Sequence, residues 1–296
     1  MRDPKTLPDE EARLDIPPAW EQIDFAGLHG PLLVIGAPDK GKTSFARFLF
    51  QRLNSLKDGK VAFLDGDPGQ SRLGPPATMT LAFSLSVQTH VWRYFVGSTS
   101  PRGHMLPIVV GAARLVQVAQ MAEAQAIVYD TSGMIDPVQG GLALKSAKID
   151  LLRPAFVFAI QQDQELEPLL VPLRRSGRAK VVSLRPSGAA RRRNPNARRA
   201  HRSRQYAGYF KRGTLLKVEW TKLAVFPFPR FRLNQLVALE DREGFALGLG
   251  IVIEIDRDQR QVVVLTPLGS LKEVVAIRLG DLLLDPETFE DTRLSE

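Results

Sequence analysis

The sequence has no cysteine, only four histidines and no long uncharged apolar run. The lack of cysteine excludes disulfides, thiolate nucleophiles and cysteine-ligated zinc, and it is compatible with an intracellular protein. The histidines have no metal-ligand spacing, so we expect no histidine-based metal site. No stretch is long and apolar enough to cross a bilayer, and the N-terminal residues show no signal-peptide pattern. We therefore expect a cytoplasmic protein without a membrane anchor.

The positive charge of the chain is concentrated in one segment. The net charge is +8, but residues 168–218 hold fifteen Lys and Arg and no Asp or Glu, which leaves the remainder at −7. Such a concentration favours a local site for a polyanion, either nucleic acid or phosphate groups. A solvated basic surface segment is the alternative.

Short apolar runs alternate with helical patterns in the first two thirds of the chain. The first apolar run, residues 32–35, precedes a glycine-rich loop and then a helical repeat of phenylalanine and leucine. Further apolar runs lie at 61–64, 92–96, 126–129, 155–160 and 180–184, and helical patterns lie at 106–124 and 142–151. This alternation predicts an α/β fold with a doubly wound parallel sheet, whose polar motifs follow the C-terminal ends of the strands.

The character of the sequence changes after about residue 211. Runs rich in β-branched residues, separated by turn signals, predict a small antiparallel β domain; they lie at 215–220, 236–239, 245–255 and 261–265. We therefore expect three parts. These are an N-terminal arm (1–28), an α/β domain (29–212) with an arginine-rich segment at about 186–212, and a C-terminal β domain (213–296).

The strongest motif is the loop Gly36–Thr43, which matches the P-loop pattern G-x-x-x-x-G-K-[ST] between a predicted strand and a predicted helix. Its glycines, Gly36 and Gly41, let the backbone curl around a phosphate, and the helix N-terminus supplies positive potential. Lys42 is expected to reach the β- and γ-phosphates, and the Thr43 hydroxyl to bind Mg²⁺. The fold class is thus a P-loop NTPase, with ATP and Mg²⁺ as the predicted cofactors. The predicted nucleotide-binding set is completed by Asp39, Lys40 and Ser44.

Carboxylates follow two of the predicted strands. Phosphoryl transfer uses carboxylates to order Mg²⁺ and to orient or deprotonate the attacking group. We predict that Asp67 is the general base and a metal ligand, that Asp130 binds the water shell of the metal, and that Asp65 supports the substrate side. Gln70 is a candidate for orienting the attacking group. A turn or capping role is the alternative for each aspartate, and a hydrogen bond within the loop is the alternative for Gln70.

The arginine-rich segment contains Arg198, Arg199 and Arg202 at helical spacing. One face of a short helix could therefore present guanidinium groups to the transferring phosphate, as a lid over the site. A solvated surface, or nonspecific binding of nucleic acid, explains the same run equally well.

Taken in order, these motifs resemble those of the polynucleotide 5′-hydroxyl kinase family. That family includes the pre-mRNA cleavage-complex kinase, the ribosomal-RNA-processing kinases and shorter archaeal relatives. The resemblance covers most of the chain, and its main elements are GAPDKGKTS at 36–44, DGDPGQS at 65–71, GSTSP at 97–101, DTSG at 130–133 and RRAHR at 198–202.

The resemblance implies ATP-dependent phosphorylation of the 5′-OH end of RNA or DNA. It implies that Lys42, Thr43 and Ser44 bind phosphates and Mg²⁺ and that Asp67 activates the 5′-hydroxyl. It further implies that the lid pair is Arg198 and Arg202. The loop 97–101 resembles the family's clasp, which predicts that it holds the nucleic-acid end; the predicted substrate contacts there and on the lid are Ser98, Thr99 and Arg199.

Two other functions are compatible with parts of the pattern. A P-loop ATPase or GTPase switch acting on a protein partner would use the same loop, but the guanine motif N/T-K-x-D is missing after the strand that precedes residues 161–164. An RNA-binding scaffold that retains nucleotide without turnover is disfavoured because Lys42, Thr43 and Asp67 are intact.

Overall fold

The computed structural model describes residues 15–57, 60–85, 90–188 and 194–294. Parts of the expected N-terminal arm and of the expected arginine-rich segment, residues 1–14 and 189–193, lie outside the described residues. Within the described residues, no helix combines the length and the apolar character needed to cross a membrane.

The first sheet has seven strands in the order β4-β3-β2-β5-β1-β6-β7. Their bounds are β1 Gly30–Gly36, β2 Val61–Gly66, β3 Thr78–Ala82, β4 Val91–Phe95, β5 Ala126–Thr131, β6 Phe156–Ile160 and β7 Lys180–Leu184. Five of them (β2, β5, β1, β6, β7) pair in parallel, and β3 and β4 add antiparallel pairings at one edge. The predicted doubly wound α/β fold is confirmed, with β3 as a strand that the sequence pattern did not reveal.

Helices cover both faces of this sheet. These helices are α1 Pro18–Glu21, α2 Lys42–Leu56, α3 Met105–Met121, α4 Gly141–Leu152 and α5 Glu167–Ser176, whereas α6 Pro195–Phe210 packs against the second sheet. The core on one face contains residues of α2 and of the N-terminal segment, and the core on the other face contains residues of α3, α4 and α5. Trp20 fixes the N-terminal segment, since it is buried with its ring 5.1 Å from that of Phe45.

The second sheet is separate and mainly antiparallel, as predicted. Its strands are β8 Thr214–Glu219, β9 Ala224–Phe226, β10 Gln235–Glu240, β11 Ala246–Asp256, β12 Gln261–Thr266, β13 Ala276–Leu284 and β14 Asp291–Arg293. They lie in the order β14-β13-β10-β11-β12-β8, and β9 pairs with β13 in parallel. The first sheet ends at Leu184 and the second begins at Thr214. The exact domain boundaries stay a prediction.

Two elements tie the sheets together. The backbone N–H of Asp281, on β13, donates to the carbonyl of Gly97 at 2.8 Å, so the loop after β4 bonds directly to the second sheet. Helix α6 buries Tyr206 and Phe210 in the core of the second sheet. Both the loop 97–101 and the predicted lid helix are therefore joints between the two sheets.

Candidate active site

The P-loop joins β1 to α2 at the carboxyl-end edge of the parallel sheet. Gly41, the residue before α2, has a φ of 86°, a left-handed conformation that favours glycine. Asp39 also has a positive φ, 59°. The resulting turn directs the first N–H groups of α2 towards the site, where an anion is stabilised by the helix N-terminus. The strand, loop and helix lie where the sequence predicted them.

The Lys42 side chain is buried at the centre of this edge. Its Nζ donates to the carbonyl of Ala37 at 2.8 Å. Burial lowers the pKa of Lys42, and the negative charges of Asp130, Asp67 and Asp39 oppose that shift. Three of the predicted acidic residues thus lie within electrostatic reach of the P-loop lysine.

Asp130 ends β5 in register with Asp65 of β2. Burial raises the pKa of Asp130 to about 7, while the charge of Lys42 and a hydrogen bond from Thr43 favour its ionised form. Its Oδ1 is buried and has no hydrogen-bond partner among the described residues. An unpaired carboxylate oxygen beside a threonine hydroxyl is a donor set that suits hydrated Mg²⁺, so these residues fit the predicted metal.

Asp67 follows β2 and is fixed by its own loop. Its Oδ1 accepts hydrogen bonds from the backbone N–H groups of Gly69 at 3.0 Å and Gln70 at 3.2 Å. Gln70 is turned back on this loop as well, because its Nε2 donates to the carbonyl of Gly69 at 2.6 Å. The Asp67 carboxylate is therefore held in one orientation, as a positioned base requires.

Asp65 is buried and organises the next loop. Its Oδ2 accepts from the hydroxyl of Ser71 at 3.0 Å and from the backbone N–H groups of Arg72 at 2.6 Å and Leu73 at 2.9 Å. Burial raises its pKa, and these three bonds oppose the shift. The contacts of Asp65 are those of a loop-stabilising residue, and its predicted contact with substrate stays a prediction.

The loop 97–101 packs against the Asp67 loop. A Cβ on Gly69 would come within 2.4 Å of the Thr99 carbonyl, so only glycine permits this approach. Ser98 is buried and its hydroxyl accepts from the N–H of Ser100 at 3.2 Å. Because β4 runs in the same direction as β2, its loop opens at the edge that carries Asp67 and Asp130.

Helix α6 contacts both the P-loop and the second sheet. Arg198 donates from Nη2 to Asp39 Oδ2 at 2.5 Å, and Arg202 donates from Nε to Asp291 Oδ1 at 2.8 Å. Arg199 is exposed on another face of the helix. The structure thus brings Arg198 of the predicted lid pair to Asp39 in the P-loop and brings Arg202 to Asp291 on the second sheet.

The remaining predicted P-loop residues lie at the rim of the site. Lys40 Nζ donates to Gln162 Oε1 at 2.8 Å, which connects the P-loop to the segment after β6. Ser44 is partly exposed in the first turn of α2. Their roles in nucleotide binding stay predictions.

Asp291 is a site residue that the sequence analysis missed. It lies on the short strand β14, and the Thr99 hydroxyl donates to its Oδ2 at 3.4 Å while Arg202 bonds to its Oδ1. A single carboxylate of the second sheet therefore contacts both the loop 97–101 and the lid helix. The sequence around it contains no motif that would have indicated this position.

Two buried lysines behind the site were also missed. Lys145 on α4 donates to Thr131 Oγ1 at 2.8 Å and to the Ser132 carbonyl, and Thr131 Oγ1 donates to the Val34 carbonyl at 2.8 Å. This chain of bonds connects α4, the turn after β5 and β1. The available signal was a pair of lysines at i and i+3 within a predicted helix of mostly apolar residues.

Lys148 lies one turn further along α4. Its Nζ is 4.7 Å from the Tyr129 ring centroid and has no hydrogen-bond partner among the described residues. Burial lowers its pKa to about 7, and the charges of Asp67 and Asp130 oppose that shift. A buried amine without a hydrogen bond is costly to the fold, and this one lies within electrostatic reach of Asp67 and Asp130.

Comparisons with known proteins identify the family of the chain. A model of the family described as "mRNA cleavage and polyadenylation factor CLP1 P-loop" matches residues 36–212. Among curated proteins, a polyribonucleotide 5′-hydroxyl-kinase of Pyrococcus abyssi is 26% identical over 326 residues, covering 88% of this chain and 90% of the relative. Another, from Methanocaldococcus jannaschii, is 25% identical and covers 86% of this chain and 87% of the relative.

Solved structures match at the level of the fold. The wild-type Clp1p–Pcf11p complex aligns with a TM-score of 0.67 and 14% identity, covering 88% of this chain and 76% of that one. A second structure of the Clp1p–Pcf11p interface aligns with a TM-score of 0.66 and 13% identity. Because the family model covers more than half of the sequence, including the P-loop and the lid helix, the chain belongs to the CLP1 P-loop family.

Proposed function

We propose that the protein is an ATP-dependent polynucleotide 5′-hydroxyl kinase that transfers the γ-phosphate of ATP to the 5′-OH end of RNA or DNA. One observation carries the proposal. The P-loop lysine and Asp130 meet Asp67 and the loop 97–101 at one edge of the sheet, which sets phosphate-binding groups beside a held carboxylate. The family of the chain and the activity named for its relatives support this reaction.

On the nucleotide side, Lys42 and the N-terminus of α2 bind the β- and γ-phosphates of ATP. The loop between Gly36 and Gly41 wraps the phosphates, and Ser44 adds a hydroxyl in the first turn of α2. Thr43 and Asp130 would hold Mg²⁺, which when bound neutralises negative charge on the phosphate oxygens.

On the acceptor side, Asp67 is the general base. The oxygen of the 5′-hydroxyl attacks the γ-phosphorus, the bond from that phosphorus to the β,γ-bridging oxygen breaks, and the hydroxyl proton passes to the Asp67 carboxylate. The products are ADP and a 5′-phosphorylated end. The hydrogen bonds from Gly69 and Gln70 keep the carboxylate oriented during this transfer.

The lid arginines stabilise the charge of the transferring group. Arg198 lies against the P-loop through Asp39, and Arg202 is held by Asp291 beside the loop 97–101. A guanidinium in each position offers directed donors to phosphate oxygens, whose charge is spread over the equatorial oxygens in the transition state.

The test is transfer of labelled γ-phosphate from ATP to short oligonucleotides with a free 5′-OH, run with RNA and with DNA. Lys42→Ala and Asp67→Asn are each expected to reduce the rate of labelling by about a hundredfold or more. Lys60→Ala, an exposed lysine at the opposite end of β2, is the matched control and is expected to label normally. Hydrolysis of ATP or GTP without labelled ends would contradict the proposal in favour of a switch NTPase, and nucleotide binding without turnover would favour a scaffold.

A further inference from the structure

An exposed aromatic segment follows β9 in the second sheet. Residues 226–232, here termed the aromatic strip, have the sequence FPFPRFR. Phe226 is 44% exposed and Phe228 is 51% exposed, although large aromatic rings are usually buried. The strip is anchored, because Phe231 is buried with its ring 5.2 Å from that of Trp220. Two phenylalanine rings are therefore presented to solvent on a fixed segment.

Arginines accompany the exposed rings. The guanidinium of Arg278 lies 4.9 Å from the Phe226 ring centroid, and that of Arg230 lies 5.3 Å from the Phe228 ring centroid. Arg278 is neutralised by Glu240, at 2.6 and 3.0 Å. Within the part of the chain that the structure describes, Arg230 and Arg232 form no salt bridge. Since residues 220–239 contain no Asp or Glu, the strip keeps a net positive charge.

The strip begins at the same edge of β13 as the contact with the loop 97–101. Phe226 pairs in register with Arg278, and three residues later on β13 the N–H of Asp281 donates to the Gly97 carbonyl. Three residues along a strand correspond to about 10 Å. Because β9 and β13 are parallel, the chain leaves Phe226 in the direction of that loop. The strip thus begins close to the loop that is predicted to hold the nucleic-acid end.

We propose that the aromatic strip binds the single-stranded polynucleotide downstream of the 5′ end that enters the active site. The bases stack on the rings of Phe226 and Phe228, and the phosphates pair with Arg230 and Arg232. Exposed aromatic faces combined with unpaired cations are the features by which proteins bind single strands without sequence preference. A duplex would not fit this surface, because its base faces are already stacked. The proposal rests on the proposed kinase activity, to which it adds a subsite.

The first test compares substrate lengths. In the double variant Phe226→Ser/Phe228→Ser, KM is expected to rise by roughly tenfold or more for a single strand of about twelve nucleotides, because the bases lose the rings on which they stack. The KM for a dinucleotide and the kcat for both substrates are expected to stay unchanged. Leu215→Ser, which replaces another exposed apolar residue at the far edge of the second sheet, is the control. An equal change of KM for both lengths would overturn the proposal.

The second test measures binding without catalysis. Fluorescence anisotropy of a labelled single strand that already carries a 5′-phosphate, without ATP, should show weaker binding by the double variant and unchanged binding by Leu215→Ser. Arg230→Gln/Arg232→Gln should weaken binding and reduce its salt dependence. Unchanged affinity in the double variant would refute the proposal that the aromatic strip binds the single strand, and it would leave the kinase proposal intact. If the wild-type protein binds the single strand and the double variant binds it more weakly, but the wild type labels no 5′ end, the kinase proposal is refuted instead.

The third test addresses protein contacts. Light scattering over a range of concentrations is expected to show the same mass for the wild type and for Phe226→Ser/Phe228→Ser. A concentration-dependent dimer that is lost in the double variant would overturn the proposal, because the rings would then be an interface between copies of this chain.

Discussion

The predicted nucleotide side of the site, with the P-loop, Thr43 and Asp130, is built on the first sheet alone, whereas the predicted polynucleotide side draws residues from both sheets. On the first side, Lys42 bonds to the backbone of its own loop and Asp130 ends the strand beside β1. On the second side, Thr99 and Arg202 meet on Asp291, which lies far away in the sequence. Under the proposed function, phosphate binding is therefore a local property of strand, loop and helix, while acceptor binding depends on how the two sheets pack.

Helix α6 connects the two sides. Arg198 and Arg202 lie one turn apart, and each pairs with a carboxylate from a different part of the fold: Asp39 in the P-loop and Asp291 on β14. The side chains of the Asp291 pair are the more buried, at 16% and 6% exposed against 32% and 14% for the Asp39 pair. Removing one partner of the Asp291–Arg202 pair should therefore lower the free energy of unfolding more than removing one partner of the Asp39–Arg198 pair.

The largest effect is expected at the P-loop lysine. Lys42→Met should lower kcat/KM by roughly a thousandfold, because it removes a cation that stabilises charge on the transferring phosphate. The loss should be the same for RNA and DNA acceptors if the nucleotide side is independent of the acceptor. Steady-state kinetics with both acceptors checks this. A loss of activity with only one acceptor would show that the nucleotide side does not act independently of the polynucleotide side.

The next effect concerns the general base. Asp67→Asn should lower kcat by about a hundredfold or more while the affinity for ATP is retained, because the amide keeps the shape of the carboxylate but cannot accept the proton. Single-turnover phosphate transfer and nucleotide titration separate the two quantities. A variant that transfers phosphate at the wild-type rate would remove Asp67 from the mechanism.

Replacing the two buried lysines of α4 by methionine should change the stability of the fold in opposite directions. Burial lowers the pKa of Lys148 from its ordinary value of 10.5 to about 7 in the folded state. Below pH 7 the charged amine is buried and destabilises the fold by the largest amount. This destabilisation decreases as the pH rises from 7 and disappears near pH 10.5, where the unfolded chain also loses the proton. Lys148→Met should therefore raise the free energy of unfolding at pH 7 by roughly 1–3 kcal/mol, with the gain shrinking at higher pH.

Lys145→Met is the matched comparison for that variant. It should destabilise the fold, because Lys145 donates to Thr131 and Ser132 and its loss leaves buried acceptors unpaired. Denaturant unfolding at several pH values measures both variants. Equal destabilisation by the two substitutions would show that Lys148 contributes to the fold in spite of its missing hydrogen bonds.

The smallest effect is expected at the joint between the sheets. Asp291→Asn should reduce kcat/KM for an oligonucleotide by about tenfold and leave ATP affinity unchanged, because it frees Arg202 and weakens the contact with Thr99. In a double-mutant cycle with Arg202→Gln, the two changes should be strongly non-additive. Additive effects would show that the ion pair does not position the lid.

Much of the nucleotide side could be predicted from the sequence. The P-loop pattern, the apolar runs and the helical spacing of α2 all depend on neighbouring residues. The sequence alone therefore predicts the positions of the strand, the loop and the helix. Asp67 and Asp130 were expected at the same edge because carboxyl ends of parallel strands share an edge. Local patterns failed where they were interrupted: α5 contains Pro172, and β13 carries Gly280 and charged residues within its apolar pattern.

By itself, the sequence determined which segments form the P-loop strand, loop and helix and which residue types are available there for phosphate binding, because backbone geometry and hydrophobic periodicity act over a few residues. Only the tertiary structure decided that Asp39 faces Arg198, that Asp291 joins the lid to the loop 97–101, and that two lysines lie behind the acids. Those pairings join residues that are distant along the chain, and their energies depend on burial and on the packing of two sheets. A local sequence pattern contains no information about that packing, so these pairings follow only from the tertiary structure.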